Sequence, residues 1–86
     1  MQTIRIYGRK NCIWCSRAVQ LAEARKLTFA YSDVNESPAA RDELIARMGQ
    51  FDTLPQIFVG ETHVGGFTQL ATADKRGELQ QMIGGA

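Results

Sequence analysis

Two cysteines stand three positions apart in Cys12-Ile13-Trp14-Cys15, and they are the only cysteines in an 86-residue chain. Residues three apart on a helix are neighbours, so this spacing lets a disulfide close with little backbone adjustment. The helix read over this segment begins near Cys12. Its free N–H groups and partial positive charge favour an anion, and a thiol in the first turn therefore loses its proton more readily. Arg9, Lys10 and Arg17 lie within five positions of a cysteine and push the same way. The two sulfurs are not equivalent: Cys15 begins the apolar stripe Cys15, Ala18, Val19, Ala22, whereas Cys12 sits at the mouth. Cys12 is the expected nucleophile and Cys15 the resolving thiol. The chemistry is thiol–disulfide exchange.

Other uses of two cysteines fit less well. An inert buried cysteine suits Cys15 alone but not a pair at a basic helix start. A zinc site wants four ligands, and the chain adds only one histidine, His63, on an expected strand. Copper chaperones also place C-x-x-C after a first strand, but their order is β-α-β-β-α-β and they carry methionine where this chain has Lys10. No metal is expected. Two further signals stand downstream. Thr53-Leu54-Pro55 precedes the strand Gln56-Ile57-Phe58-Val59, and a proline at a strand start fits either a cis peptide in a tight turn or an ordinary trans edge residue. Gly65-Gly66 precedes the last helical region, where backbone can approach a ligand and a helix start offers N–H groups to a carboxylate.

The elements that must position these residues are short. Thr3–Tyr7 alternates apolar with polar and reads as a strand, followed by the helix from Cys12 to about Lys26. Thr28–Val34 is rich in strand formers. Ser37-Pro38 is a helix start, with Ala40, Leu44, Ile45 and Met48 as the buried stripe and Gly49 as the stop. Ile57–Val59 and Thr62–Val64 flank Gly60-Glu61 as a hairpin, and the last helical region is expected to break at Gly77. The order β-α-β-α-β-β-α predicts an α/β fold: one four-stranded mixed sheet, its first two strands parallel, with helices on both faces.

Composition narrows the function classes. With 44% apolar and 22% charged residues, the chain is neither disordered nor fibrous. Residues 1–86 read as a single domain with one small core. No apolar run reaches the ~20 residues of a membrane span, and the start lacks a secretory pattern, so the reducing cytoplasm is the expected compartment. The net charge of +1 is uneven: residues 1–22 carry four bases and no acid, and residues 23–86 carry six bases and nine acids. That early basic field suits a thiolate and a small anionic substrate. No basic block points to nucleic acid.

Taken in order, Ile6-Tyr7, Cys12-Ile13-Trp14-Cys15, Thr53-Leu54-Pro55-Gln56-Ile57-Phe58-Val59-Gly60 and His63-Val64-Gly65-Gly66 resemble the glutaredoxin family over nearly the whole chain. The resemblance implies a thioredoxin fold with the cysteines beside a cis-proline. It implies a glutathione-dependent oxidoreductase that reduces protein disulfides and protein–glutathione mixed disulfides, acts in cell redox homeostasis as a monomer, and is recharged indirectly through glutathione reductase. On this resemblance Arg9 meets the glycine carboxylate of glutathione, and Trp14 walls the groove. Thr53, Leu54 and Pro55 form the edge where the Leu54 backbone pairs with the glutathione cysteinyl backbone. Gly66, Phe67 and Thr68 receive the γ-glutamyl end.

Three departures from the family pattern matter. Ile13 replaces a common proline, and some members without it hold a [2Fe-2S] cluster bridging two chains. Phe67-Thr68-Gln69 replaces a small residue and two aspartates, leaving Thr68 a neutral partner for the glutathione ammonium. Charge-assisted hydrogen bonds are roughly twice as strong as neutral ones, so weaker glutathione binding is expected. The loop Gly49-Gln50-Phe51-Asp52 is slightly longer than usual. Two alternatives follow. Glutaredoxin-like donors to ribonucleotide reductase, recharged by thioredoxin reductase, share Gly66-Phe67; non-enzymatic iron–sulfur carriers share the missing proline.

Overall fold

The computed structural model describes residues 2–84. Strand β1 (Ile4–Gly8) leads into helix α1 (Ile13–Ala24), strand β2 (Phe29–Asp33) and helix α2 (Pro38–Met48). Strands β3 (Gln56–Val59) and β4 (Thr62–Gly65) form the hairpin, and α3 (Phe67–Lys75) and α4 (Glu78–Gly84) close the described chain. The sheet order is β2-β1-β3-β4, with β1 parallel to β2 and the other pairings antiparallel. The mixed sheet with helices on both faces follows the expected element order, and it is the thioredoxin fold that the family resemblance implies.

Strand alternation sorts the core into two faces. Ile4, Ile6, Ile57 and Val59 point to one side and pack on Ala18 and Ala22 of α1, Leu70 and Ala73 of α3, and Leu79 and Ile83 of α4. Tyr7 and Phe58 point to the other, against Val34 and Leu44 of α2. Each fully buried large aliphatic side chain stabilises the fold by about 1.5–3 kcal/mol. Both faces are edged by charge: on the α1 side Arg25 donates to Asp74 of α3 at 2.9 Å, and on the α2 side the charge gathers at Glu43. The Tyr7 hydroxyl donates to Glu43, and Arg5 Nε lies 3.3 Å from the same carboxylate. Burial, aided by the Glu43 hydrogen bond, pushes the Tyr7 phenol up to about 12. That hydrogen bond, with Arg5 and Arg47 nearby, holds the Glu43 carboxyl below its usual value.

Local signals account for the helix ends. Ser37 Oγ accepts from the Ala40 N–H at 3.1 Å and Pro38 takes the first helical position of α2, which stops at Gly49 with φ +78°. Gly77, at φ +75°, separates α3 from α4, because a residue in the left-handed region ends the helical run and glycine adopts it without a side-chain penalty. Two expectations need correction. Ile45 is 37% exposed: the buried line of α2 runs through Ala40 and Leu44 to half-buried Met48, and Ile45 is turned about 100° away from Leu44. Strand β2 is also shorter than expected, since Val34 leaves the ladder to enter the α2 core while its N–H donates to Gly8 O.

Candidate active site

The turn from β1 to α1 builds the reactive end of the molecule. Asn11 takes φ +57°, a left-handed conformation asparagine tolerates better than most residues, and Cys12 follows as the N-cap of α1 in extended conformation. Cys12 Sγ accepts from the Cys15 N–H at 3.2 Å, so the sulfur takes the place that a serine or aspartate oxygen fills at an ordinary helix start. The two cysteines are joined in a disulfide, with their Cα atoms 5.3 Å apart. Cys12 is 8% exposed and Cys15 2%. Both are buried, so the contrast between mouth and interior is smaller than the spacing implies, although its order holds.

The loop before β3 supplies the facing wall. The Leu54–Pro55 peptide is cis, which resolves the alternative left open by the residues alone. The Leu54 carbonyl oxygen lies 3.9 Å from Cys12 Sγ. Thr53 holds this loop through buried Gln56, whose Nε2 donates to Thr53 O at 2.9 Å while its Oε1 lies 2.8 Å from His63 Nε2. His63 stacks on Phe58 and is thereby part of the β3–β4 support.

The start of α3 makes a further edge. Phe67 lies 5.7 Å, centroid to centroid, from the Trp14 ring, and Arg17 covers Trp14 with its guanidinium 4.8 Å from the ring centroid. The Gly66 N–H is occupied by Gln69 Oε1 at 2.9 Å, while Thr68 is exposed. The fold therefore joins Cys12 to Leu54-Pro55 and Trp14 to Phe67. Arg9 is placed differently: it is exposed, its Nη1 donates to Lys10 O, and with Lys10, Asn11 and Cys15 it lines a separate hollow of about 400 Å³ between α1 and β2. Lys10 pairs with Glu36, so its charge is partly met by a carboxylate.

Sequence reading overlooks two residues here. A methyl group on Gly8 would stand 2.7 Å from Tyr31 Oη and 2.9 Å from Cys15 Sγ, so only glycine lets both approach the end of β1. Tyr31 donates from its hydroxyl to Arg9 O at 3.2 Å, tying the edge strand to the basic turn. Their roles depend on the β1–β2 register, which pairs Ile6 with Tyr31 and Tyr7 with Ser32. A glycine immediately before a basic turn is the one local sign the sequence carries.

Among the described residues, no group of three or more His, Cys, Asp or Glu side chains is placed to hold a metal ion. No helix among them is long and apolar enough to cross a membrane.

Known proteins match this architecture. The glutaredoxin family model covers residues 4–64. Glutaredoxin 3 of Escherichia coli is 34% identical over 83 residues, spanning 96% of this chain and 99% of the relative. The solution structure of glutaredoxin from Brucella melitensis is 35% identical with a TM-score of 0.77, over 96% of this chain and 89% of that one. A buckwheat glutaredoxin–glutathione complex shares the fold with a TM-score of 0.79 at 22% identity, over 95% and 76% of the two chains. With its paired cysteines at the start of α1, the chain belongs to the glutaredoxin family of thiol–disulfide oxidoreductases.

Proposed function

We propose that the protein uses glutathione as its thiol substrate and reduces protein disulfides and protein–glutathione mixed disulfides, with Cys12 as nucleophile and Cys15 as resolving thiol. One observation carries the assignment of Cys12: its sulfur is the N-cap of α1 and accepts the Cys15 N–H, where negative charge is best stabilised. On a mixed disulfide the Cys12 thiolate attacks the glutathione sulfur. The sulfur–sulfur bond of the substrate breaks, and the protein thiolate leaves. A second glutathione thiolate then attacks the enzyme-bound glutathione sulfur, forming glutathione disulfide and regenerating Cys12. On a protein disulfide, Cys12 forms the mixed disulfide with one substrate sulfur. Cys15 then attacks Cys12, the substrate thiolate leaves, and the Cys12–Cys15 disulfide forms.

The remaining roles follow the family pattern. Arg9 meets the glycine carboxylate after turning from Lys10 O toward the groove. Trp14 and Phe67 form one wall, and Thr53, Leu54 and Pro55 the other, with the Leu54 backbone pairing with the cysteinyl unit of glutathione. Gly66 and Thr68 receive the γ-glutamyl end. The chain works in a reducing compartment, the cytoplasm, on disulfide-bearing protein partners.

A second reading rests on the start of α3. Phe67 packs on Trp14, and Gln69 already satisfies the Gly66 N–H. A filled γ-glutamyl region fits a donor to ribonucleotide reductase that is recharged by thioredoxin reductase. NADPH-coupled reduction of a small mixed disulfide separates the two readings. Turnover with glutathione and glutathione reductase supports the first. Turnover only with thioredoxin reductase in the absence of glutathione replaces it with the second.

A further inference from the structure

Behind the disulfide, on the side away from Leu54-Pro55, the hollow between α1 and β2 brings Tyr31 to the resolving cysteine. Gly8 has no side chain, and the Tyr31 hydroxyl and Cys15 Sγ both crowd the space a β-carbon would fill, at 2.7 and 2.9 Å from it. Both residues also line the hollow, together with the charged side chains of Arg9, Lys10 and Glu23. The Tyr31 hydroxyl has one proton. With Cys15 bound in the disulfide its sulfur is neutral, and that proton goes to the Arg9 carbonyl at 3.2 Å. Burial, with the Asp33 charge nearby, raises the Tyr31 phenol above its ordinary value and keeps it a donor.

We propose that Tyr31 is a positioning residue for the dithiol half of the reaction, its hydroxyl exchanging the Arg9 carbonyl for the Cys15 sulfur as that sulfur becomes a thiolate. The inference rests on the assignment of Cys12 as nucleophile. In the step concerned, an incoming thiolate attacks Cys12 Sγ and forms a new sulfur–sulfur bond. The Cys12–Cys15 bond breaks, and Cys15 leaves with the electron pair. A charged sulfur is a stronger acceptor than a neutral carbonyl, so the hydroxyl turns to it without leaving the hollow. Tyr31 stays protonated throughout. By microscopic reversibility the same contact serves Cys15 when it attacks as a thiolate to resolve a mixed disulfide. Reactions that need Cys12 alone do not use it.

The test is Tyr31→Phe, which keeps the ring that packs against Gly8 and removes only the hydroxyl. Reduction of the Cys12–Cys15 disulfide by dithiothreitol is followed by stopped-flow fluorescence of Trp14, the chain's single tryptophan. We expect a rate roughly three- to tenfold lower, the scale of one partly solvated hydrogen bond to a charged group. In a Cys15→Ser background, alkylation of Cys12 by iodoacetamide should proceed at the same rate with and without the Tyr31→Phe change. Equal slowing in both backgrounds would mean that Tyr31 only braces the Arg9 turn, and an unchanged dithiothreitol rate would mean that its hydroxyl never reaches Cys15. Either result overturns the proposal. The assignment of Cys12 fails separately, if the single Cys12→Ser variant keeps exchange activity.

Discussion

Two helices begin at the site, and each uses one half of a capping box. At α1 the N-cap side chain accepts: Cys12 Sγ takes the N–H of Cys15, three residues on. At α3 the N-cap is glycine, which has no side chain to offer, and the bond runs the other way, from the Gly66 N–H to the Gln69 side chain. The difference separates two ways of using a helix N-terminus. In α1 the group that caps the helix is the sulfur proposed as the nucleophile, so structure and the proposed chemistry share one contact. In α3 no side chain caps the first-turn N–H groups. The single cap contact is a neutral amide, which a carboxylate can displace.

The strongest way to break this comparison is to keep the cap of α1 and remove its chemistry. Serine is a good N-cap, so Cys12→Ser should hold the Cys15 N–H and leave thermal stability close to that of the reduced parent. Exchange activity should fall by at least about a thousandfold, because the proposed nucleophile is gone. Cys15→Ser should retain at least about a third of the activity on glutathione mixed disulfides, which need one thiol. A dead Cys15→Ser and an active Cys12→Ser, in the same coupled assay, would reverse the roles.

At α3 the comparison is sharpened by adding charge. Thr68 is exposed at the first turn, and Thr68→Asp places a carboxylate beside the proposed position of the glutathione ammonium. A charge-assisted bond there should lower the KM for glutathione by roughly three- to tenfold with little change in kcat. A higher KM would remove the γ-glutamyl end from this edge.

Helix α2 provides the reference, a start with no part in the chemistry. Ser37→Ala deletes the bond to the Ala40 N–H and should cost about 1 kcal/mol of stability in urea unfolding while kcat and KM stay unchanged. A change in KM would show that the helix starts are coupled through the sheet.

The parts of this architecture written in local sequence were legible, and those made by packing were not. Cys12 through Cys15, Ser37-Pro38, Gly49 and Gly77 each act within a turn or two of chain, and the corresponding helix starts and stops stand where the spacing puts them. The sheet follows from alternation in β1 and from the hairpin at Gly60-Glu61. Ile45 misleads because an apolar residue one step from a helical stripe is invisible as an error until the opposing surface is known. Gly8 and Tyr31 lie 23 positions apart in sequence and meet only through the parallel pairing of β1 and β2. Lys10 could be read as a charge beside the cysteines, but its partner Glu36 comes from the loop after β2, which the parallel pairing sets beside the end of β1. The cis Leu54–Pro55 bond is one of two states that the residues alone leave open, and it is the one the family resemblance implies.

The smallest expected effect falls on the amide at α3. Gln69 Oε1 presents the negative end of its dipole to the Gly66 N–H, at the place where the γ-glutamyl carboxylate is proposed to approach. Gln69→Ala removes that competing acceptor and frees the N–H. The loss of half a capping box should lower stability by about 0.5 kcal/mol. The KM for glutathione should fall about twofold, because the substrate carboxylate no longer has to displace an internal bond before it reaches the backbone. The two changes have opposite signs, one weakening the fold and the other improving the site, and that pairing is the test. A KM that rises along with the loss of stability would mean that Gln69 holds the α3 start in its binding geometry. The neutral cap would then be as much a part of the site as the sulfur cap of α1.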